Sequence, residues 1–221
     1  METRQQAQAR RIRPNRRSLT GSIPVKGRAV PFESSLERDL LVLLDFDEDV
    51  ASVAAQPYTL SFAGPGGERR RYTPDFRVRR HSGPPTVYEV KYRQELRERW
   101  PDLKPRFRAA ARDARQRGLR FEVVTEVEIR GPRLENARFL RPYLDRRPDA
   151  GTESRLLDAM TQLGTAKPGD ILNTAFPEHA SRSMALPSLW RLVALGRIAA
   201  DLDAPLTMAT PLRAVGEDGR P

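Results

Sequence analysis

The 221-residue chain contains no cysteine and only two histidines, His81 and His179, far apart in the sequence. The first absence excludes disulfides, thiolate zinc sites and iron–sulfur clusters, and it fits a reducing compartment. The second argues against a histidine-rich metal site. Long apolar runs are missing as well. No stretch approaches the roughly eighteen residues of a membrane span, and the basic opening METRQQAQARRIRPNRR leads into no apolar run of signal-peptide length. A soluble cytoplasmic protein with no membrane contact is expected. Apolar residues make up 38 % of the chain, enough for a core, and 14 Gly and 19 Pro supply turns without low-complexity bias. The length suits one main domain and a smaller one.

Charge is abundant and unevenly placed. Residues 1–30 hold eight Lys or Arg and one acid, and residues 91–120 hold eleven basic residues and four acids, so each segment carries +7. The last 71 residues, with seven basic and eight acidic, carry −1. Such clustering is the footprint of a polyphosphate partner, because neutralising phosphates releases condensed counterions. The competing reading is a solvated face in an arginine-rich chain, since 35 of the 39 basic residues are arginine.

Residues 1–30, punctuated by Pro14, Gly21, Pro24 and Gly27, read as a basic flexible arm. In SSLERDLLVLLDF, Leu36, Leu40, Leu43 and Leu44 recur at helical spacing behind a serine cap, which predicts a helix to about Phe46. TLSF, RYTPDFRV and TVYEVKY read as strands, PRFRAAARDARQRG as a helix ending at Gly118, and RFEVVTE as a buried strand. The main domain, 31–147, is therefore an α/β core with a small mixed sheet. Residues 148–221 form a second unit. There TESRLLDAMTQLG, KPGDILNTAF and LPSLWRLVALG predict three helices, and IAADL with PLTMAT a β-hairpin, as in a winged-helix-like domain.

The chemistry concentrates between residues 71 and 92. Alternate strand residues share a face, so Glu89 and Lys91 point one way and Tyr88, Val90 and Tyr92 the other. Asp75 begins the preceding strand, and an antiparallel turn can bring it beside Glu89. Two carboxylates meeting at one point repel; a divalent cation relieves this, and hard oxygen ligands favour magnesium or manganese over zinc. Lys91 would then orient a water and stabilise a pentacovalent phosphate. Glu37, from the first helix, would be a further ligand, directly or through water. Glu33, one turn earlier, competes for that place and is equally explicable as a capping residue. The expected DNA contacts are Arg69, Arg70, Arg71, Arg77 and Arg93, with Gln56 in the loop entering the sheet. The plainer alternatives are a surface ion pair for Glu89–Lys91 and a loop hydrogen bond for Gln56.

Pro74-Asp75, the fourteen-residue step to Glu89, and Glu89-x-Lys91, set between a helix bearing Glu37 and a following helix and strand, resemble the PD-(D/E)xK nuclease superfamily. LERDLLVLLDFDEDVASVAAQPYTL, YTPDFRV, YEVKYR and FEVVTE are more narrowly similar to the TnsA family of transposon-end endonucleases. The resemblance implies a restriction-endonuclease-like αβββαβ core and a winged-helix-like C-terminal domain. It places the catalytic set on Glu37, Asp75, Glu89 and Lys91, the first three being ligands of two magnesium or manganese ions. Some relatives have glutamine where Glu89 stands. It further implies nicking of double-stranded DNA on the 5′ side of transposon ends, a DDE-type transposase and an AAA-type ATPase as partners, and a prokaryotic, nucleoid-associated setting. The rivals are a stand-alone restriction-like or repair nuclease and a non-catalytic DNA-binding assembly subunit. The charge of the C-terminal unit favours docking to protein over reading DNA.

Overall fold

In the computed structural model, which describes residues 19–64 and 66–215, the first helix is built as its leucine spacing predicts. This helix, α1 (Ser35–Phe46), is capped by Ser34, whose hydroxyl accepts from the Glu37 N–H. It buries Leu36, Leu40, Leu41 and Leu44. They pack against Phe76, Val78, Tyr88 and Val90, which therefore occupy one face of the central sheet.

That sheet has four strands in the order β3-β6-β7-β8: β3 (Val50–Ala55), β6 (Phe76–Arg80), β7 (Thr86–Val90) and β8 (Arg120–Val124). The first three pair antiparallel, and β7 pairs parallel with β8. A parallel neighbour needs a crossover, supplied by α2 (Arg93–Gln116). Helix α1, three antiparallel strands, helix α2 and a fourth strand give a mixed α/β unit consistent with the restriction-endonuclease-like core expected from the sequence. A short helix, α3 (Glu126–Ile129), follows with a Thr125–Glu128 capping box.

Three details differ from expectation. The first core strand is β3, in the small-residue run VASVAA, whereas TLSF forms β4 (Leu60–Ala63) and pairs with β5 (Arg69–Tyr72) in a separate ribbon. RYTPDFRV is two strands rather than one: the chain leaves β5 after Tyr72 and enters β6 at Phe76, with Pro74, which has no N–H for a ladder, in the break. Finally, the part of the arm from Gly21 onward is ordered. Strands β1 (Gly21–Val25) and β2 (Arg28–Phe32) form a hairpin that buries Val25, Val30 and Phe32 in the α1 core. Lys26 and Gly27 both have positive φ, 49° and 74°, the two-residue turn that suits strand twist. Residues 1–18 of the expected arm lie outside the described residues.

The chain divides into two compact units, the first ending at Arg130 and the second beginning at Gly131. The boundary expected at 147/148 moves because α4 (Pro132–Leu144), unforeseen in the sequence, belongs to the second unit and sets Phe139 edge-on against Trp190. The three anticipated helices are α5 (Ala150–Leu163), α6 (Pro168–Ala175) and α7 (His179–Ala194). A three-stranded sheet joins β9 (Thr165–Ala166), β10 (Ile198–Ala200) and β11 (Leu212–Ala214), so the hairpin's second strand is LRA and not PLTMAT. PLTMAT lies in the intervening loop. Buried Asn136 anchors that loop, donating to the carbonyls of Leu202 and Ala204 and accepting from the Leu206 N–H.

Candidate active site

Strand register brings Asp75 and Glu89 together. Phe76 lies opposite Tyr88, and one step further back Asp75 falls opposite Glu89. Asp75 is pinned on both sides. Its carboxylate Oδ2 accepts from the Val90 N–H at 2.7 Å, and its carbonyl accepts from the Gln56 N–H at 2.7 Å. Gln56 is held at φ +45°, the left-handed region a side chain rarely adopts. It is buried, and its amide donates to Glu33 Oε1 at 3.3 Å.

Glu89 is only 2 % exposed, so its pairing with Lys91 is no surface ion pair. Lys91 Nζ lies 3.0 Å from Glu89 Oε1 and 3.9 Å from Asp75 Oδ2. The other Glu89 oxygen accepts the phenol hydrogen of Tyr72, the last residue of β5. Arg106 of α2 stands over the Tyr72 ring, 5.8 Å from its centroid. Burial, then the Glu89 charge, push the Asp75 carboxyl well above the usual carboxylate range despite Lys91. Burial alone would lower the Lys91 ammonium, but Asp75 and Glu89 outweigh it and raise its pKa, so the lysine stays charged. Burial and Glu89 likewise raise the Tyr72 phenol, which keeps it a donor.

Glu37 is close enough for its charge to act on Asp75, and that of Lys91 on it. Its two oxygens are engaged at the helix start, accepting from the Glu33 N–H at 2.8 Å and the Ser34 hydroxyl at 3.0 Å. Burial raises its pKa against those bonds. Ser34→Ala is expected to cost about 1 kcal/mol of stability, the usual loss for a helix cap, with little effect on catalysis. Glu37→Gln keeps the capping geometry but removes the charge. Urea unfolding and cleavage rates of both variants separate the capping role of Glu37 from a ligand role: a glutamine variant of parental rate argues that it only caps.

The donor set is hard oxygen beside a fixed cation. Among the described residues no three histidine or carboxylate side chains converge as a ready cage for an ion. Magnesium suits such a place, being held elsewhere by one or two carboxylates with water and substrate phosphate completing its shell. Asp75 and Glu89 fit that pattern.

Residues 47–126 match the family described as TnsA-like endonuclease, N terminal. Over this span the chain is similar to the N-terminal domain of TnsA-like endonucleases. The matched span runs from the end of α1 into α3 and includes Gln56, Tyr72, Asp75, Glu89 and Lys91, while Glu33 and Glu37 precede it. No curated protein matches the chain.

The expected DNA contacts disperse. Arg69, Arg70 and Arg71 are exposed on β5, Arg70 pairing with Glu68 at 2.5 Å. Arg77 is half-buried on β6, two residues past Asp75, and Arg93 opens α2 two residues past Lys91, its N–H bound by Glu126. Gln56 faces the interior and steadies Asp75. Sequence reasoning missed Tyr72, hidden in the RRRY run as the partner of Leu60 across the ribbon. It also missed the network around Tyr92. There Arg130 binds buried Asp39 at 3.0 Å and the Tyr92 hydroxyl at 3.2 Å, and Ser35 and Tyr92 hydroxyls meet at 3.2 Å.

Proposed function

We propose that this chain is the metal-dependent DNA endonuclease subunit of a heteromeric transposase, nicking the 5′ side of transposon ends. The observation that carries the reading is the close-set Asp75–Glu89–Lys91 group, with Glu89 buried and Asp75 and Lys91 partly exposed, within the TnsA-like span. Asp75 and Glu89 would hold magnesium or manganese, with Glu37 as a further ligand directly or through water. Such an ion, when bound, supplies Lewis-acid stabilisation of charge building on the phosphoryl oxygens. Lys91 directs its ammonium at the same oxygens and at the attacking water, a preorganised charge in a site that excludes bulk solvent. Tyr72 fixes the rotamer of Glu89, and Gln56 fixes the backbone of Asp75. Arg69, Arg71, Arg77 and Arg93, dispersed over β5, β6 and the start of α2, would add contacts to the DNA backbone.

The order α5, β9, α6, α7, β10, β11 in the second unit supports a winged-helix-like reading, and the net charge of −1 over the last 71 residues supports a protein-docking role. A DDE-type transposase and an AAA-type ATPase are the partners proposed. The test is cleavage of duplex DNA bearing the transposon ends, by the chain alone and with its transposase. Nicks that need magnesium or manganese and stop in EDTA are expected, and truncation after Arg130 should lose the partner-dependent activity. No cleavage by the complete assembly with any divalent cation overturns the reading. Full activity without a partner moves it to a stand-alone nuclease.

A further inference from the structure

Helix α2 carries far more positive charge than the candidate active site uses, and that charge is sorted around the helix. At 3.6 residues per turn, Arg93, Arg97, Lys104, Arg108, Arg112 and Arg115 fall within an arc of about 100°. All six are exposed. The four acids of the helix, Glu95, Glu98, Asp102 and Asp113, occupy a separate arc of about 60°. The face that packs inward carries Leu103, Phe107, Ala110 and Ala114.

The remaining arginines of α2, and Arg117 at its C-cap, lie off the stripe and are engaged. Arg99 pairs with Glu95 at 3.1 Å and Arg117 with Asp113 at 2.8 Å, while Arg106 and Arg117 sit over the rings of Tyr72 and Tyr58. By contrast, among the described residues Arg97, Lys104, Arg108, Arg112 and Arg115 form no ion pair. They face one another instead. Lys104, Arg108 and Arg112 are successive i,i+4 neighbours, a like-charge pattern that weakens a helix. Folding alone gives no reason for it; a polyanion laid along the helix does, because it neutralises all of these charges at once. The stripe starts two residues beyond Lys91 and extends about 33 Å at 1.5 Å per residue. That is close to one turn of duplex, roughly 34–36 Å. Trp100, 46 % exposed, borders it.

We infer that the stripe Arg93–Arg97–Lys104–Arg108–Arg112–Arg115 is a backbone-tracking surface that holds duplex DNA leading away from the cleavage point. It binds phosphates and not bases, and so sets the register of the duplex without reading its sequence. The inference rests on the endonuclease reading for its ligand and adds a surface separate from Asp75, Glu89 and Lys91.

The experiment compares the full chain, the quadruple variant Arg97→Gln, Lys104→Gln, Arg108→Gln, Arg112→Gln, and a control losing four exposed arginines elsewhere (Arg28, Arg79, Arg120 and Arg213, each to Gln). Binding to a duplex of unrelated sequence is measured in EDTA against salt concentration, with thermal unfolding as the check on folding. The stripe variant should fold at least as well as the parent. Its log affinity against log salt should flatten by about 3 to 4, near 0.9 for each phosphate no longer neutralised, with at least about a tenfold fall in affinity at physiological salt. The control should change much less. Unchanged slope in the stripe variant, equal losses in both variants, or a parent that binds no duplex overturns the inference. An unchanged slope in a protein that still nicks DNA leaves the endonuclease reading standing. Binding through the stripe by a parent that never nicks upholds the stripe and removes the endonuclease reading.

Discussion

Asp75→Asn is expected to abolish divalent-cation-dependent cleavage and to leave the protein more stable than before. Asparagine still accepts the Val90 N–H, so the break between β5 and β6 keeps its anchor. The charge that would hold the ion is gone. A bound cation contributes several kcal/mol of transition-state stabilisation, so cleavage should fall by about a thousandfold or more, at 1.36 kcal/mol per factor of ten. Stability moves the other way, because burial and Glu89 oppose ionisation of Asp75. A carboxyl whose pKa is raised on folding contributes its stability at low pH and loses it as pH rises through the folded value. Replacement therefore gains at neutral pH, by about 1 kcal/mol, a usual increment for relieving a functional site. The gain should vanish in acid, where Asp75 is already protonated. Urea unfolding at pH 7.5 and pH 4, beside a cleavage assay in manganese, decides the matter; parental cleavage, or a variant less stable at neutral pH, rejects the assignment.

Lys91→Met is the second large effect, and here stability and catalysis fall together. The ammonium is 19 % exposed and its partner Glu89 only 3 % at the side chain. Removing one member of a buried pair typically costs about 3–5 kcal/mol, since the other charge is left without compensation. Asp75 loses its nearby cation as well, so the deficit should be largest above neutral pH and shrink as pH falls and carboxyls take up protons. The double variant Lys91→Met, Glu89→Gln should recover much of the loss, because glutamine leaves no uncompensated charge at position 89 and still accepts from Tyr72. Equal stability for the single and double variants would show that the pair contributes nothing. The same geometry predicts that Glu89→Ala destabilises the fold. Alanine strands both Lys91 and the Tyr72 hydroxyl, so glutamine is the cleaner probe of Glu89.

The spacing from Asp75 to Glu89 and Lys91 could be read from the chain because strand alternation and an antiparallel turn are local rules. The residues that hold this group in place obey no local rule. Tyr72 sits among arginines that advertise charge, and only the ribbon with β4 turns it toward Glu89. Gln56 is one polar residue of a loop until β3 and β6 pair and its N–H finds Asp75. Strand β3 is rich in alanine and serine, poor strand formers by themselves, and exists because β6 lies beside it. The β1–β2 hairpin did leave a signal, Ile23 and Val25 against Val30 and Phe32 around Lys26-Gly27. Pro24, Pro31 and the arginines upstream masked it.

The parallel pairing of β7 with β8 carries a kinetic consequence. Strand β7 is buried along its whole length, yet its β8 neighbour starts at Arg120, after the whole of α2. A chain leaving the ribosome therefore exposes Glu89 and Lys91 on a strand with one open edge until that later segment has emerged and the intervening loop has closed. Such long-range closure is slow, because its entropy is lost before any new interaction compensates. Until then the open edge is a template for pairing with other chains. The strand that bears Glu89 is thus completed late, and its final partner arrives only after the basic helix has been made.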